Sequence, residues 1–120
     1  MLFRSEAYDG PSLIIAYSHC IAHGYDMKYG LEQQQAAVDS GYWPLYRFNP
    51  DLATIGQNPF KLDSRPPRLP LEKYAYREGR YRMLTQSQPE AAARLMELAK
   101  GDVQARWETY ERLAQKNGNK

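Results

Sequence analysis

The sequence predicts a helix-rich α/β fragment with one doubly covered strand, a second short strand and a long C-terminal helix. Three observations carry this expectation. Ser12 to Tyr17 reads "SLIIAY", a continuous β-leaning run without alternation, the pattern of a strand covered on both faces in a parallel sheet. Small or apolar residues recur at 92, 96, 99, 103, 107, 110 and 114, in steps of four and three that mark one helical face. Strands are also scarce. A parallel sheet needs several βαβ units, whereas this chain offers one clear strand and one doubtful one and opens in what reads as mid-helix. It is therefore expected to be the tail of a larger α/β domain.

Taken in order, Leu2 to Tyr8 reads as the last turns of a helix, stopped by Asp9-Gly10-Pro11. The Ser12–Tyr17 strand follows, then a polar, histidine-bearing connection or short helical turn over Ser18 to Tyr25. Asp26 can cap a helix from Met27 to Ser40, with Leu31, Ala36, Ala37 and Val38 as its sparse apolar positions and three glutamines facing water. Gly41 falls where a left-handed C-terminal residue is wanted. Leu45, Tyr46 and Phe48 favour a short strand, which Pro44 restricts to a strand start or a sheet edge. Residues 49–70 are rich in turn chemistry and read as an extended path across a surface, with "DSRPPRLP" at 63–70 as the linker. Leu71 to Arg77 reads as helix, with less definite structure after Gly79.

Ser87-Gln88-Pro89-Glu90 has the spacing of a capping box, with proline in the first turn, where its missing N–H is harmless. The apolar phase carries across Gly101. One long helix is therefore expected, although glycine costs it about 1 kcal/mol; a break at Gly101-Asp102 is the alternative. No internal repeat is visible. The domain division that follows is 1–62, 63–70 and 71–120.

Composition excludes some functions. A net charge of +2 is too weak to suggest nucleic acid or an acidic membrane as partner. The longest apolar stretch, Leu13 to Tyr17, is far short of a membrane span, and no secretory signal pattern is present. The single cysteine cannot form an internal disulfide and fits a reducing compartment, so a cytoplasmic location is expected. Ten tyrosines against three phenylalanines suit rings packed at a core rim with a wet edge.

That cysteine, Cys20, is the residue of most chemical interest, flanked by His19 and His23. Structural zinc wants four ligands and commonly paired spacings, and the chain has no second cluster. A nucleophile–base pair would need a third, orienting group. A small buried core thiol is the plainest reading. Position favours more: Cys20 lies three residues past Tyr17, beyond the carboxyl end of the expected strand, where open α/β sheets bind ligands. Gly24 permits close backbone approach nearby. "RPPRLP" matches a PxxP ligand, but a structural arm explains it as well. "YAYREGRYR" interleaves tyrosine with arginine as nucleic-acid surfaces do, though its glutamates favour a solvated helix face.

Three blocks, "GPSLIIAYSHCIAHG", "QQAAVDSGYWPLYRFNP" and "GQNPFKLDS", resemble the C-terminal end of the pyruvate:ferredoxin (flavodoxin) oxidoreductases, including the nitrogen-fixation-associated pyruvate–flavodoxin type. The resemblance spans residues 1 to about 115. It implies an origin in a large homodimeric enzyme that decarboxylates pyruvate on thiamine diphosphate with magnesium, forms acetyl-CoA from coenzyme A, and passes single electrons through 4Fe–4S clusters to ferredoxin or flavodoxin. Residues 1–62 would then be the end of the thiamine-diphosphate-binding parallel-sheet domain and residues 71–120 a C-terminal helical arm. Cys20 occupies the motif position of the fourth thiolate of the thiamine-proximal cluster, whose other three ligands lie upstream in the parent. His19 and His23 inherit no role. The isolated chain is expected to bind none of these cofactors and to be inactive. The alternative expectation is a stand-alone helical module that docks a protein partner without catalysis.

Overall fold

The computed structural model describes residues 2–115. Helix dominates. The elements run α1 (Leu2–Glu6), two 3-10 turns (Ile21–His23 and Met27–Tyr29), α2 (Gly30–Asp39), β1 (Tyr46–Phe48), α3 (Asp51–Thr54), β2 (Phe60–Leu62), α4 (Leu71–Ala75), α5 (Gly79–Ser87) and α6 (Pro89–Gln115).

The core forms where small residues let helices approach. Ala36 and Ala37 of α2 pack on Leu71, Tyr74 and Ala75 of α4, with Tyr17, Tyr42 and Trp43 at the rim and Met96, Ala99 and Val103 of α6 closing one side. Asp26 accepts from the Lys28 N–H at the start of the turn that feeds α2. Gly41 ends α2 with φ +74°, the left-handed residue its position calls for. The buried residues of α2 are Gly30, Gln33, Ala36 and Ala37, with Ser40 buried just past its end. Two expectations for this helix are corrected: Leu31 is 78% exposed, and Gln33 faces the core rather than water. With so few apolar residues on α2, periodicity alone left its phase open, and the alanine pair set it.

Helix α6 is the expected single helix, unbroken at Gly101. Ala92 and Trp107 are buried, Met96, Ala99, Val103, Tyr110 and Ala114 are half-buried, and Arg94, Glu97, Gln104 and Glu108 between them are exposed. A Cβ added to Gly101 would meet nothing within 4 Å. Gly101→Ala should therefore raise stability by about 0.5–1 kcal/mol, read as a higher urea midpoint at unchanged slope. A lower midpoint would show that the glycine is needed. The capping box does not form. Ser87 closes α5 and donates through Oγ to the Met83 carbonyl, while Gln88 precedes Pro89 and its carbonyl accepts from the Ala92 N–H. Helix α5 runs further than its sequence suggested and uses up the expected cap.

The only sheet among the described residues is antiparallel, pairing Tyr46 with Leu62, Arg47 with Lys61 and Phe48 with Phe60. Strand β1 starts just past Pro44 as expected. Strand β2 and the helical turn α3 lie inside the span read as an extended path. Arg47 donates twice to Asp63, at 2.6 and 2.7 Å, locking the end of the pair. The rings of Tyr46, Phe60 and Tyr110, with centroids 5.1–5.9 Å apart, seat the pair on α6. Asn58 donates to the Leu113 and Ala114 carbonyls, two of the last-turn acceptors that α6 leaves free.

The largest correction concerns Ser12–Tyr17. Among the described residues the segment has no strand partner and lies in no parallel sheet. Leu13 is 83% and Ile15 65% exposed. Strand preference reflects fit to a pleated, half-buried surface, and no described segment supplies that surface. The radius of gyration, 17.5 Å, exceeds the roughly 14 Å of a compact domain of this length. The chain is an arm, α6, bound along a small core.

Candidate functional site

Cys20 stands on a loop held at both ends. At its entrance, the Tyr17 carbonyl accepts from Gln34 Nε2 at 3.3 Å. The Tyr17 ring packs on Trp43 at 5.3 Å between centroids. Its hydroxyl lies 2.9 Å from that of Tyr74 and accepts from Arg80 Nη2 at 3.2 Å. Cys20 is extended, with φ −144° and ψ 142°, and the turn that follows closes by His23 N–H to the Cys20 carbonyl and Gly24 N–H to the Ile21 carbonyl. At the exit, Gly24 has φ +76° and its carbonyl accepts from the Gly79 N–H at 2.9 Å. A Cβ on Gly24 would stand 3.1 Å from Gly79 Cα, and one on Gly79 would stand 2.9 Å from the Gly24 carbonyl oxygen. Two backbones meet here at a distance that only glycine allows.

Glu78 lies beneath the loop, fully buried. One carboxylate oxygen accepts from Gln33 Nε2 at 2.9 Å and the other from Arg80 Nε at 2.5 Å. Gln33 also reaches the Tyr74 carbonyl at 3.1 Å, and His23 Nδ1 stands 3.8 Å from Glu78 Oε1. Burial opposes the charge of Arg80, but its hydrogen bond and attraction to Glu78 prevail, and the guanidinium is held above its ordinary pKa. Burial, and then hydrogen bonds to Tyr17 and Tyr42 respectively, push the Tyr74 and Tyr81 phenols up. Burial first and the Glu78 charge second raise Tyr25 as well. The Tyr25, Tyr74 and Tyr81 phenols are thus neutral at physiological pH.

His19, Cys20 and His23 do not form a metal set. Among the described residues no three His, Cys, Asp or Glu side chains converge on a metal position. The His19 ring lies against Gly30, where a Cβ would stand 2.6 Å from it. His23 turns to Glu78 and stacks on Tyr17 at 6.3 Å between centroids. The thiol itself is exposed, which corrects the buried-core reading. A 4Fe–4S cluster takes four thiolates. An exposed sulfur on an anchored loop fits one of those four, and this chain has no second cysteine to offer. Gln33 read as one of the glutamines facing water, and Glu78 and Arg80, within "YAYREGRYR", as part of a solvated helix face; that reading is corrected, because Glu78 is fully buried. Their one legible signal was Gly79, a glycine set among charged residues with no turn partner.

No protein-family model matches the chain. Curated relatives do. A pyruvate-flavodoxin oxidoreductase of Trichormus variabilis is 55% identical over 111 residues, which is 92% of this chain and 9% of the relative. One of Nostoc sp. is 54% identical over 111 residues, again 92% of this chain and 9% of the relative. A pyruvate:ferredoxin oxidoreductase of Moorella thermoacetica is 47% identical over 114 residues, 95% of this chain and 10% of the relative. The chain thus spans about a tenth of the length of the curated relatives it matches.

Proposed function

Because this chain is a homologue of one segment of the pyruvate-flavodoxin oxidoreductases, we propose that it works as that segment of a pyruvate:ferredoxin or pyruvate:flavodoxin oxidoreductase, with Cys20 as one thiolate of the thiamine-proximal 4Fe–4S cluster. The observation that supports this best is the exposed Cys20 thiol, on a loop fixed by Tyr17 and Gly24, directly after an apolar segment left bare at Leu13, Ile14 and Ile15. A segment of that composition suits a place in a larger sheet.

In this reading residues 1–62 close the thiamine-diphosphate-binding domain, 63–70 link, and 71–120 form the helical arm. The partners are the remainder of the polypeptide, its homodimer mate, pyruvate, coenzyme A, and ferredoxin or flavodoxin, in the cytoplasm. The cluster supplies one-electron transfer when bound. The chain's own residues contribute the sulfur and the rigidity of the loop that presents it. Soft thiolate ligation suits iron–sulfur chemistry, and no other side chain offers it as well. In this reading thiamine diphosphate and magnesium are held by other parts of the enzyme.

A chimera tests this reading. The matching segment of the Trichormus enzyme is replaced by this chain, and pyruvate- and coenzyme A-dependent reduction of a viologen dye is followed. The chimera should turn over within about tenfold of its parent, and the 120-residue chain alone should give no turnover with thiamine diphosphate and magnesium added. Turnover by the chain alone, or a folded chimera without activity, would contradict the proposal.

A further inference from the structure

We propose that Glu78 is a positioning residue for the Cys20 thiolate, a role that rests on the cluster-ligand reading above. The cysteine lies three residues after Tyr17 and four before Gly24, and both of those points are fixed. Glu78 connects the two. It accepts from Arg80 Nε, and Arg80 donates in turn to the Tyr17 hydroxyl at the loop entrance. It directly precedes Gly79, whose N–H holds the Gly24 carbonyl at the exit. Its other oxygen is held by Gln33, whose neighbour Gln34 donates to the Tyr17 carbonyl.

A buried carboxylate persists only when donors meet its oxygens. Here each donor comes from an element that also grips the loop. The carboxylate therefore joins α2, the start of α5 and the Cys20 loop into one rigid body. No hydrogen bond runs from Glu78 to the cysteine. It acts through the backbone, in the way that groups behind a ligand orient it and hold the metal more tightly. A ligand aimed at a rigid cluster needs placement to within about 0.5 Å, and a loop gripped at one end only would not provide it.

Glu78→Gln keeps the volume and removes the charge that holds Arg80. In the 120-residue chain, hydrogen exchange at the Gly24 and Gly79 amides should quicken by about tenfold, while the amides of α6 keep their protection. In the full-length enzyme carrying this segment, iron release to a chelator from the Cys20 cluster should quicken by about tenfold, and the paramagnetic resonance lines of that cluster should shift while those of the others stay. Gly24→Ala disturbs the same loop without touching the carboxylate. It should reproduce both effects, and it serves as the probe if Glu78→Gln does not fold. Exchange that quickens uniformly along the chain, or nowhere, would overturn the clamp. A loosened loop with unchanged iron release and unchanged lines would overturn the positioning role; if Cys20→Ala still removes that cluster, the ligand reading survives. If Cys20→Ala leaves every cluster intact, both fail together.

Discussion

Tyr74→Ala should unfold most of the isolated chain at room temperature. Tyr74 is fully buried at the centre of the α2–α4 contact. Its ring lies 4.7 Å from that of Tyr42, and its hydroxyl 2.9 Å from that of Tyr17. Truncating a buried aromatic residue to alanine costs about 3–5 kcal/mol. A whole domain holds only about 5–15 kcal/mol, and just seven apolar residues are buried among the described residues, two of them large rings, so the reserve should lie at the low end. Tyr74→Phe should cost only about 1 kcal/mol, because volume is kept and the Tyr17 hydroxyl still accepts from Arg80. Urea titration followed by circular dichroism reads both. An unchanged midpoint in Tyr74→Ala would mean that the chain is held together elsewhere.

What the sequence showed of this fold was its local part. Helix α6 was readable because seven positions in one phase outweigh a single glycine, and β1 because Pro44 marks where a strand can begin. The Ser12–Tyr17 strand failed for a reason that no local pattern contains: a strand needs partners. Burial of Gln33 was equally hidden. Glutamine reads as solvated until a partner such as Glu78, 45 residues away, reaches it. The candidate site divides along the same line. Cys20 was visible as the lone cysteine after an apolar run, and the role proposed for it came with the resemblance. The clamp around it was not visible, because Tyr17, Gly24 and Gln33 reach Arg80, Gly79 and Glu78 only through long-range hydrogen bonds. Charge patterning gives no phase for a carboxylate that ends up fully buried.

Cys20→Ala in the full-length enzyme should abolish one iron–sulfur cluster and spare the others. A 4Fe–4S cluster distributes its irons over four thiolates, and alanine leaves one iron without a protein ligand. Serine offers a harder oxygen and should only partly replace it. In the 120-residue chain the thiol is exposed, and removing it from a surface loop should change that chain's stability by no more than about 0.5 kcal/mol. Decarboxylation of pyruvate should persist, because thiamine diphosphate is held elsewhere in the proposed enzyme. Electron delivery to ferredoxin or flavodoxin should fall by roughly a hundredfold or more, beyond the 10- to 100-fold cost of losing a mere supporting partner of a metal ligand. The deciding measurement is iron counting with paramagnetic resonance on the reduced Cys20→Ala enzyme. Loss of the thiamine-proximal signal, with the remaining clusters at full intensity and iron reduced to match, is the expected result. A full set of clusters with normal pyruvate-dependent reduction of the acceptor would show that Cys20 ligates nothing.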